Sequence, residues 1–367
     1  MKVNYAYLHQ QFADVEGYFE DLRELVASGE FTLGPYVERF ERKFGEYIGI
    51  KHVISVNTGT DALILCLKAL GIGAGDQVIT VPNTFYATVG AIVAVGARPV
   101  FIDVDERMQM DPTLLEAAIT PETKAIIPVY WAGCCPEVER IVSIAEKHEI
   151  PVVEDACPAV GASVDGKSAG TWGRISAFSM HPLKPLNVWG DGGMVVTQDD
   201  ALADWLRMSR NHGMVDRDHN QIWGINARLQ PIQAVVATRL LDGMETNISA
   251  RLRTAALLDA GLEHLPQVRI PTRFAGHRDS YQLYQVMVDQ RDELLAHLVE
   301  NEIEAKVHYP LPLHLQVAAA DLGYSTGSFP VCERQAGEIL TLPAHQHIEV
   351  DQVDYTIECI KDFYGAS

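Results

Sequence analysis

Three short stretches of this 367-residue chain carry residue types that chemistry uses. In FSMHPLKPLNVWGDGG (178–193), Lys184 follows an apolar run, sits next to Pro185 and precedes three glycines. Pro185 keeps Lys184 out of the helical region. A lysine held in a dry cleft loses its proton readily and can serve as a Schiff-base nucleophile or a general base. Glu154-Asp155 closes another apolar run, and buried carboxylates are costly unless they meet a cation or a donor. The plainer reading of that pair is an acid capping a loop. Asn57-Thr58-Gly59-Thr60-Asp61-Ala62 follows a third apolar run and opens a helical pattern. Free amides there suit a phosphate monoester. The alternative is an ordinary capped helix start with Thr60 as the N-cap.

The elements that must position these residues alternate. Apolar strand-like runs at 52–56, 77–81, 99–104, 125–130 and 151–155 are separated by helical patterns such as 60–70 and 136–150. Strands apolar throughout and spaced by helices imply a mostly parallel sheet covered on both faces. Runs at 175–180 and 192–197 follow without a long helix between them, so the sheet is expected to be mixed. Ligands in open α/β sheets lie outside the carboxyl ends of the strands, where Asp155 falls. After about residue 200 the pattern turns to long helices. From about 280 a βαβ-like unit follows: SYQLYQVMVD, RDELLAHLVENE and EAKVHY, with a last helix near 351–363. The expected division is a large three-layer α/β/α domain over 1–245 and a small C-terminal α/β domain over 246–367.

Composition narrows the classes. With 29 basic and 49 acidic side chains the formal charge is −20, against a nucleic-acid or anionic-membrane binder. The six cysteines (Cys66, Cys134, Cys135, Cys157, Cys332, Cys359) form no CxxC pair and read as reduced core residues, and no metal site is expected. No apolar leader opens the chain, and Pro82-Asn83 divides its longest uncharged run, 77–97, into strand, turn and helix, so a cytoplasmic protein is expected. Gly161 to Ser168 matches the phosphate-loop pattern GxxxxGK[ST] letter for letter. Two glycines follow within five residues, so no helix can start there, and that reading is rejected.

A phosphate cup, an acid at a strand end and a Schiff-base lysine are together the needs of pyridoxal phosphate (PLP). The chain resembles the fold-type-I, PLP-dependent sugar aminotransferases of the DegT/StrS kind over nearly its whole length. The matching blocks are Leu33-Gly34-Pro35, VNTGTDAL (56–63), VPNTFYAT (81–88), VVEDA (152–156), FSMHPLK (178–184) and GDGGMVVT (190–197). Asn211-His212-Gly213, Asn226 with Arg228, and His308-Tyr309-Pro310 with His314 continue the series.

The resemblance implies that Lys184 carries the cofactor and moves the proton, while Asp155 pairs with the ring nitrogen. It implies that Gly59, Thr60 and Ser179 hold the phosphate, that Phe85 stacks on the ring, and that Asn226 reaches the phosphate from a neighbouring subunit of a homodimer. His308, Tyr309 and His314 are the candidates for the substrate side. The implied reaction moves the amine of L-glutamate onto an anionic keto or aldehyde sugar in amino-sugar biosynthesis. The HPLKPLNVWGDGG stretch resembles a branch aminating C8 of an oxidised 3-deoxy-octulosonate for lipopolysaccharide; a nucleotide-linked 3- or 4-keto sugar is the alternative, and a non-catalytic PLP-sensing regulator is the reading from another class. For an anionic sugar the candidate cations are Arg210, His212, Arg228, Lys306 and His308. Pro158 and Pro185 depart from the family pattern, at a position often polar and one often Asn, and His181 has no assigned role.

Overall fold

The computed structural model describes residues 1–365. Its strands are β1 (His52–Val56), β2 (Gln77–Thr80), β3 (Arg98–Phe101), β4 (Thr123–Ile126), β5 (Val153–Asp155), β6 (Ser163–Val164), β7 (Lys167–Ser168), β8 (Ile175–Ser179), β9 (Gly193–Thr197), β10 (Val268–Arg269), β11 (His277–Arg278), β12 (Tyr284–Val288) and β13 (Ile339–Leu342). The ladders β1-β9-β8-β5 and β3-β2-β4 are joined by parallel bridges, Ile126 to Val152 and Val129 to Asp155. Seven strands thus form one sheet in the order β1-β9-β8-β5-β4-β2-β3. Only β9 runs against its neighbours. It follows β8 through a loop without a helix, and a parallel return needs a longer crossover. The mixed, mostly parallel sheet is the one expected.

Alternation along the strands sorts the core. Ile54, Val153, Ile175 and Ala177 pack with Leu63 and Leu67 of helix Gly59–Ala69 on one face. Val53, Phe178 and Met194 pack with Phe40 and Phe44 of helix Pro35–Ile48 on the other. Apolar faces on both sides explain why the strands are apolar at every position. The carboxyl ends of β1, β2, β4, β5 and β8 therefore converge on one edge.

The C-terminal part differs in detail. β12 and helix Arg291–Glu300 lie as expected, but β13 slots between β12 and the 304–309 run, antiparallel to both. Lys306 and Thr341 exchange both backbone hydrogen bonds, at 3.0 and 2.8 Å. The crossover from β12 is parallel, yet its strands are not neighbours, and the run at 304–309 contributes one bridge rather than a strand. Helix Met244–Leu262 starts beside the expected domain limit at 245, after a break at Gly243, and runs under both cores. Met244 and Ile248 belong to the core under the large sheet, Ala255, Leu258 and Leu262 to the core of the small one, and Leu252 packs against both. Val3 lies in that second core and pairs with Ile303, so the first residues join the C-terminal part. Gly161–Ser168 folds as the β6–β7 hairpin, with Lys167 Nζ 4.0 Å from the centroid of the Trp172 ring. No helix follows it. Among the described residues no helix is long and apolar enough to cross a membrane.

Candidate active site

A cleft of about 350 Å³ opens at the converging strand ends, and Gly59, Thr60, Phe85, Asp155, Ser179, Lys184, His308 and Tyr309 all line it. The period of two divides the acid pair. Glu154 faces away, fully buried, and accepts hydrogen bonds from the Tyr130 and Ser176 hydroxyls and the backbone N–H of Gly170, Trp172 and Gly173. Five donors and no cation make it the structural member: it staples the loop after β7 to β5. Asp155 faces the cleft. Its Oδ2 accepts from Thr88 Oγ1 at 2.7 Å and its Oδ1 from the Cys157 N–H at 3.2 Å, and Thr84 Oγ1 stands 2.7 Å from Thr88 Oγ1.

Lys184 sits in the loop 180–192, whose backbone is pinned at the lysine itself. Its carbonyl accepts from the Tyr7 hydroxyl at 3.1 Å and from Asn187 Nδ2 at 3.0 Å, and Gln11 Nε2 in turn donates to Asn187 Oδ1 at 2.7 Å. The N-terminal segment thus aims the lysine. Burial pushes the Lys184 ammonium below its usual range, opposed by Cys157 and Asp155. An amine so placed deprotonates more easily than one in water, as a nucleophile requires.

The anion cup forms where helix Gly59–Ala69 meets β8. A Cβ on Gly59 would stand 2.7 Å from Ser179 Cβ and 3.2 Å from Cys157 Sγ, and one on Gly193 would stand 2.3 Å from the Thr58 carbonyl oxygen. Only glycines allow this approach of helix N-terminus, β8 and β9. Thr58 is the N-cap, its Oγ1 accepting from the Asp61 N–H at 2.9 Å. Thr60, the alternative cap, therefore keeps its hydroxyl free. Ser179 Oγ accepts from the His181 N–H at 3.3 Å, so its own proton remains for a ligand. Helix amides, two hydroxyls and a gap that a Cβ would fill fit a phosphate monoester. With Asp155 and Lys184 on the same cleft, the residues present fit PLP.

The far wall is aromatic. Phe85 packs on Tyr86 and Tyr309, with ring centroids 5.5 and 6.3 Å apart, and is half exposed. Burial pushes the Tyr309 hydroxyl up to about 12. His308 is lowered to about 4 by burial, with Lys306 and Lys184 adding to the effect, so it is neutral near pH 7. Its Nδ1 stands 3.0 Å from Thr341 Oγ1, which also accepts from Gln285 Nε2 at 3.2 Å, so the ring is held in place from the small domain. His181 also lines the cleft, lowered by burial, with Asp191 opposing the shift and Lys184 adding to it.

Several expected residues lie elsewhere. His314 is buried (2% exposed), hydrogen-bonded to Glu333 at 2.9 Å and edge-on to Phe329. It braces the 313–333 segment and does not line the cleft. Arg210 is equally unavailable: it is buried against Glu41 and donates to the Ser55 carbonyl at 2.7 Å. His212 and Lys306 are exposed outside the cleft lining, and Arg228 Nη1 donates to Asn211 Oδ1 at 2.7 Å. Asn226 is exposed on the 211–230 loop and does not line the cleft of its own chain. Pro158 borders the cleft and brings no side-chain hydrogen bond. Sequence reasoning missed Tyr7, Thr84, Thr88, Asn187, Thr341 and Gln285. Thr84 and Thr88 lie inside the VPNTFYAT block, where their spacing of four already placed both hydroxyls on one side of a helix start.

A model of the DegT/DnrJ/EryC1/StrS aminotransferase family matches residues 13–361. The chain is 39% identical over 346 residues to the pleiotropic regulatory protein of Geobacillus stearothermophilus, covering 94% of this chain and 93% of that one. It is 38% identical over 364 residues to a dTDP-3-amino-3,4,6-trideoxy-alpha-D-glucose transaminase of Micromonospora megalomicea, covering 98% and 97%. The crystal structure of S. venezuelae DesV in complex with a ketimine intermediate matches with a TM-score of 0.96 at 36% identity, covering 99% of this chain and 98% of that chain. A family match across almost the whole length, together with relatives so similar end to end, means that this chain belongs to the DegT/DnrJ/EryC1/StrS aminotransferase family.

Proposed function

We propose that this sugar aminotransferase uses PLP to move the amine of L-glutamate onto a nucleotide-linked keto sugar, with Lys184 and Asp155 as its catalytic residues. The observation that carries the reading is the convergence of Lys184, Asp155 and the Gly59–Ser179 cup on one cleft. When bound, the cofactor supplies an electron sink for the carbon that gives up or receives the amine. Gly59, Thr60 and Ser179 hold its phosphate, and Asp155, oriented by Thr88, holds a proton at the ring nitrogen. Phe85 covers the ring. Lys184 Nζ anchors the cofactor and then carries the proton to and from the reacting carbon.

The acceptor reading rests on two points. The Micromonospora relative is named for a dTDP-linked sugar. The cleft's own charged side chains are Lys184, Asp155 and Asp191, so an anionic sugar must find further cations outside it. Asn226 and Arg228 lie on the 211–230 loop and do not line the cleft of their own chain, and Trp223 on the same loop is 96% exposed. We assign that loop to the cleft of a second copy: the enzyme works as a homodimer and Asn226 completes the partner's phosphate site.

The test is a panel of acceptors offered to glutamate-loaded enzyme. Turnover of dTDP- or UDP-linked 3- or 4-keto sugars is expected. Turnover of an oxidised octulosonate alone would overturn the nucleotide-sugar reading in favour of the lipopolysaccharide branch. Failure to accept glutamate's amine at all would remove the catalytic assignment and favour a regulator.

A further inference from the structure

Behind the wall of the cleft, among the described residues, lies a buried charge with no counter-ion. Arg251 is 1% exposed, on helix Met244–Leu262. Its Nη1 donates to the Tyr281 carbonyl at 2.9 Å, while Nε and Nη2 are buried without any hydrogen-bond partner. Among the described residues no carboxylate pairs with it. The ring of Tyr7 lies 5.1 Å from the guanidinium carbon. A lone buried cation is expensive, and proteins neutralise it or give it a counter-ion. Guanidinium cannot lose its proton, which leaves the counter-ion.

The space for one is present. A cavity of about 10 Å³ adjoins Arg251, with Leu183, Leu283, Leu342 and Ala344 among its walls. That is room for a single small particle. His345, also on the wall, has both ring nitrogens engaged, Nε2 with the Asn4 carbonyl at 3.0 Å and Nδ1 with the His347 N–H at 3.2 Å, so it offers the occupant nothing. Tyr5, Tyr7, Gln282 and Tyr284 complete the walls, and an anion, unlike a water, also offsets the charge of the buried guanidinium.

We propose that this cavity binds one monovalent anion, chloride in ordinary solution, held by Nε and Nη2 of Arg251. The site is separate from the cofactor and sugar, though tied to them. Tyr7 touches the guanidinium with its ring and the Lys184 carbonyl with its hydroxyl, and Tyr5 and Leu183 border both cavities. The anion steadies the N-terminal segment that aims the lysine.

Two measurements on the holoenzyme test this. The first is the thermal midpoint at constant ionic strength as sodium chloride replaces sodium gluconate. A saturable rise of about 2–3 °C is expected, since a ligand bound only by the folded state stabilises it by mass action. The rise should disappear in Arg251→Gln. The second is anomalous diffraction from crystals grown in sodium bromide, which should show one bromide against the Arg251 guanidinium. Equal midpoints in chloride and gluconate, or a bromide map with only water or nothing in the cavity, would overturn the proposal. If Arg251→Gln fails to fold, the bromide map decides alone.

Discussion

Gly59→Ala puts the construction of the phosphate cup to a quantitative test. The added methyl would stand 2.7 Å from Ser179 Cβ, 3.0 Å from its Oγ and 3.2 Å from Cys157 Sγ, where ordinary contact begins at 3.4 Å. None of these is the end of a long flexible side chain, so the helix N-terminus must move off β8 by several tenths of an ångström. Alanine favours helix by about 1 kcal/mol over glycine, and overpacking costs about 1–3 kcal/mol. The net effect on folding is therefore small, and the protein should still be made and purified. The ligand suffers more. Helix amides and the Ser179 hydroxyl no longer converge, and losing one charge-assisted hydrogen bond costs about 1.5–3 kcal/mol. The dissociation constant for PLP should rise between about tenfold and about a hundredfold. Absorbance titration of apoenzyme with PLP reads it directly, with the melting curve as the control. A variant that binds PLP as tightly as the wild type would show that the phosphate sits elsewhere.

Three other outcomes follow from the geometry. Thr341→Val removes the hydroxyl that hydrogen-bonds His308 Nδ1 and orients the ring, and should raise the acceptor-sugar KM about fivefold to tenfold while the glutamate half-reaction keeps its rate; equal losses in both half-reactions would place His308 on a different task. Arg210→Ala leaves the Glu41 carboxylate buried without its cation, so it should cost about 3 kcal/mol or more of stability by denaturant titration and leave the sugar KM of the folded enzyme unchanged; a raised KM at normal stability would restore Arg210 to the substrate site. Burial lowers the pKa of Lys184, so in apoenzyme the neutral amine forms as pH rises, and the rate of PLP capture should climb and level off below the ordinary lysine value of 10.5. Because Asp155 favours the ammonium, Asp155→Asn should move that plateau to still lower pH, and a move upward would contradict the placement of the two groups.

Much of this was legible in the sequence because it depends on local pattern. Runs apolar at every position give the doubly covered sheet, and the absent helix between 180 and 192 signals the antiparallel β9. Asp155, Gly59 and Lys184 could be found because each sits at the end of an apolar run. The division of labour between Glu154 and Asp155 needed the pleat, since adjacent residues point to opposite faces and composition treats them alike. The errors share one cause. His314 and Arg210 sit in or beside family-like blocks where His and Arg suggest a ligand, and only the fold shows Glu333 and Glu41 beside them. Tyr7 and Thr341 act on Lys184 and His308 across sequence separations that no local pattern records. The expected limit near 245 lies beside the break at Gly243, while the helix that follows it serves two cores and carries no boundary signal of its own.

The central claim is that Lys184, at the carboxyl edge of the sheet, carries the cofactor. Borohydride reduction of holoenzyme followed by peptide mapping tests it most directly. The account predicts one reduced pyridoxyl group per chain, on the peptide containing Lys184, and none in Lys184→Ala. A stable adduct on Lys167 or Lys306, or an unchanged yield in Lys184→Ala, would contradict it.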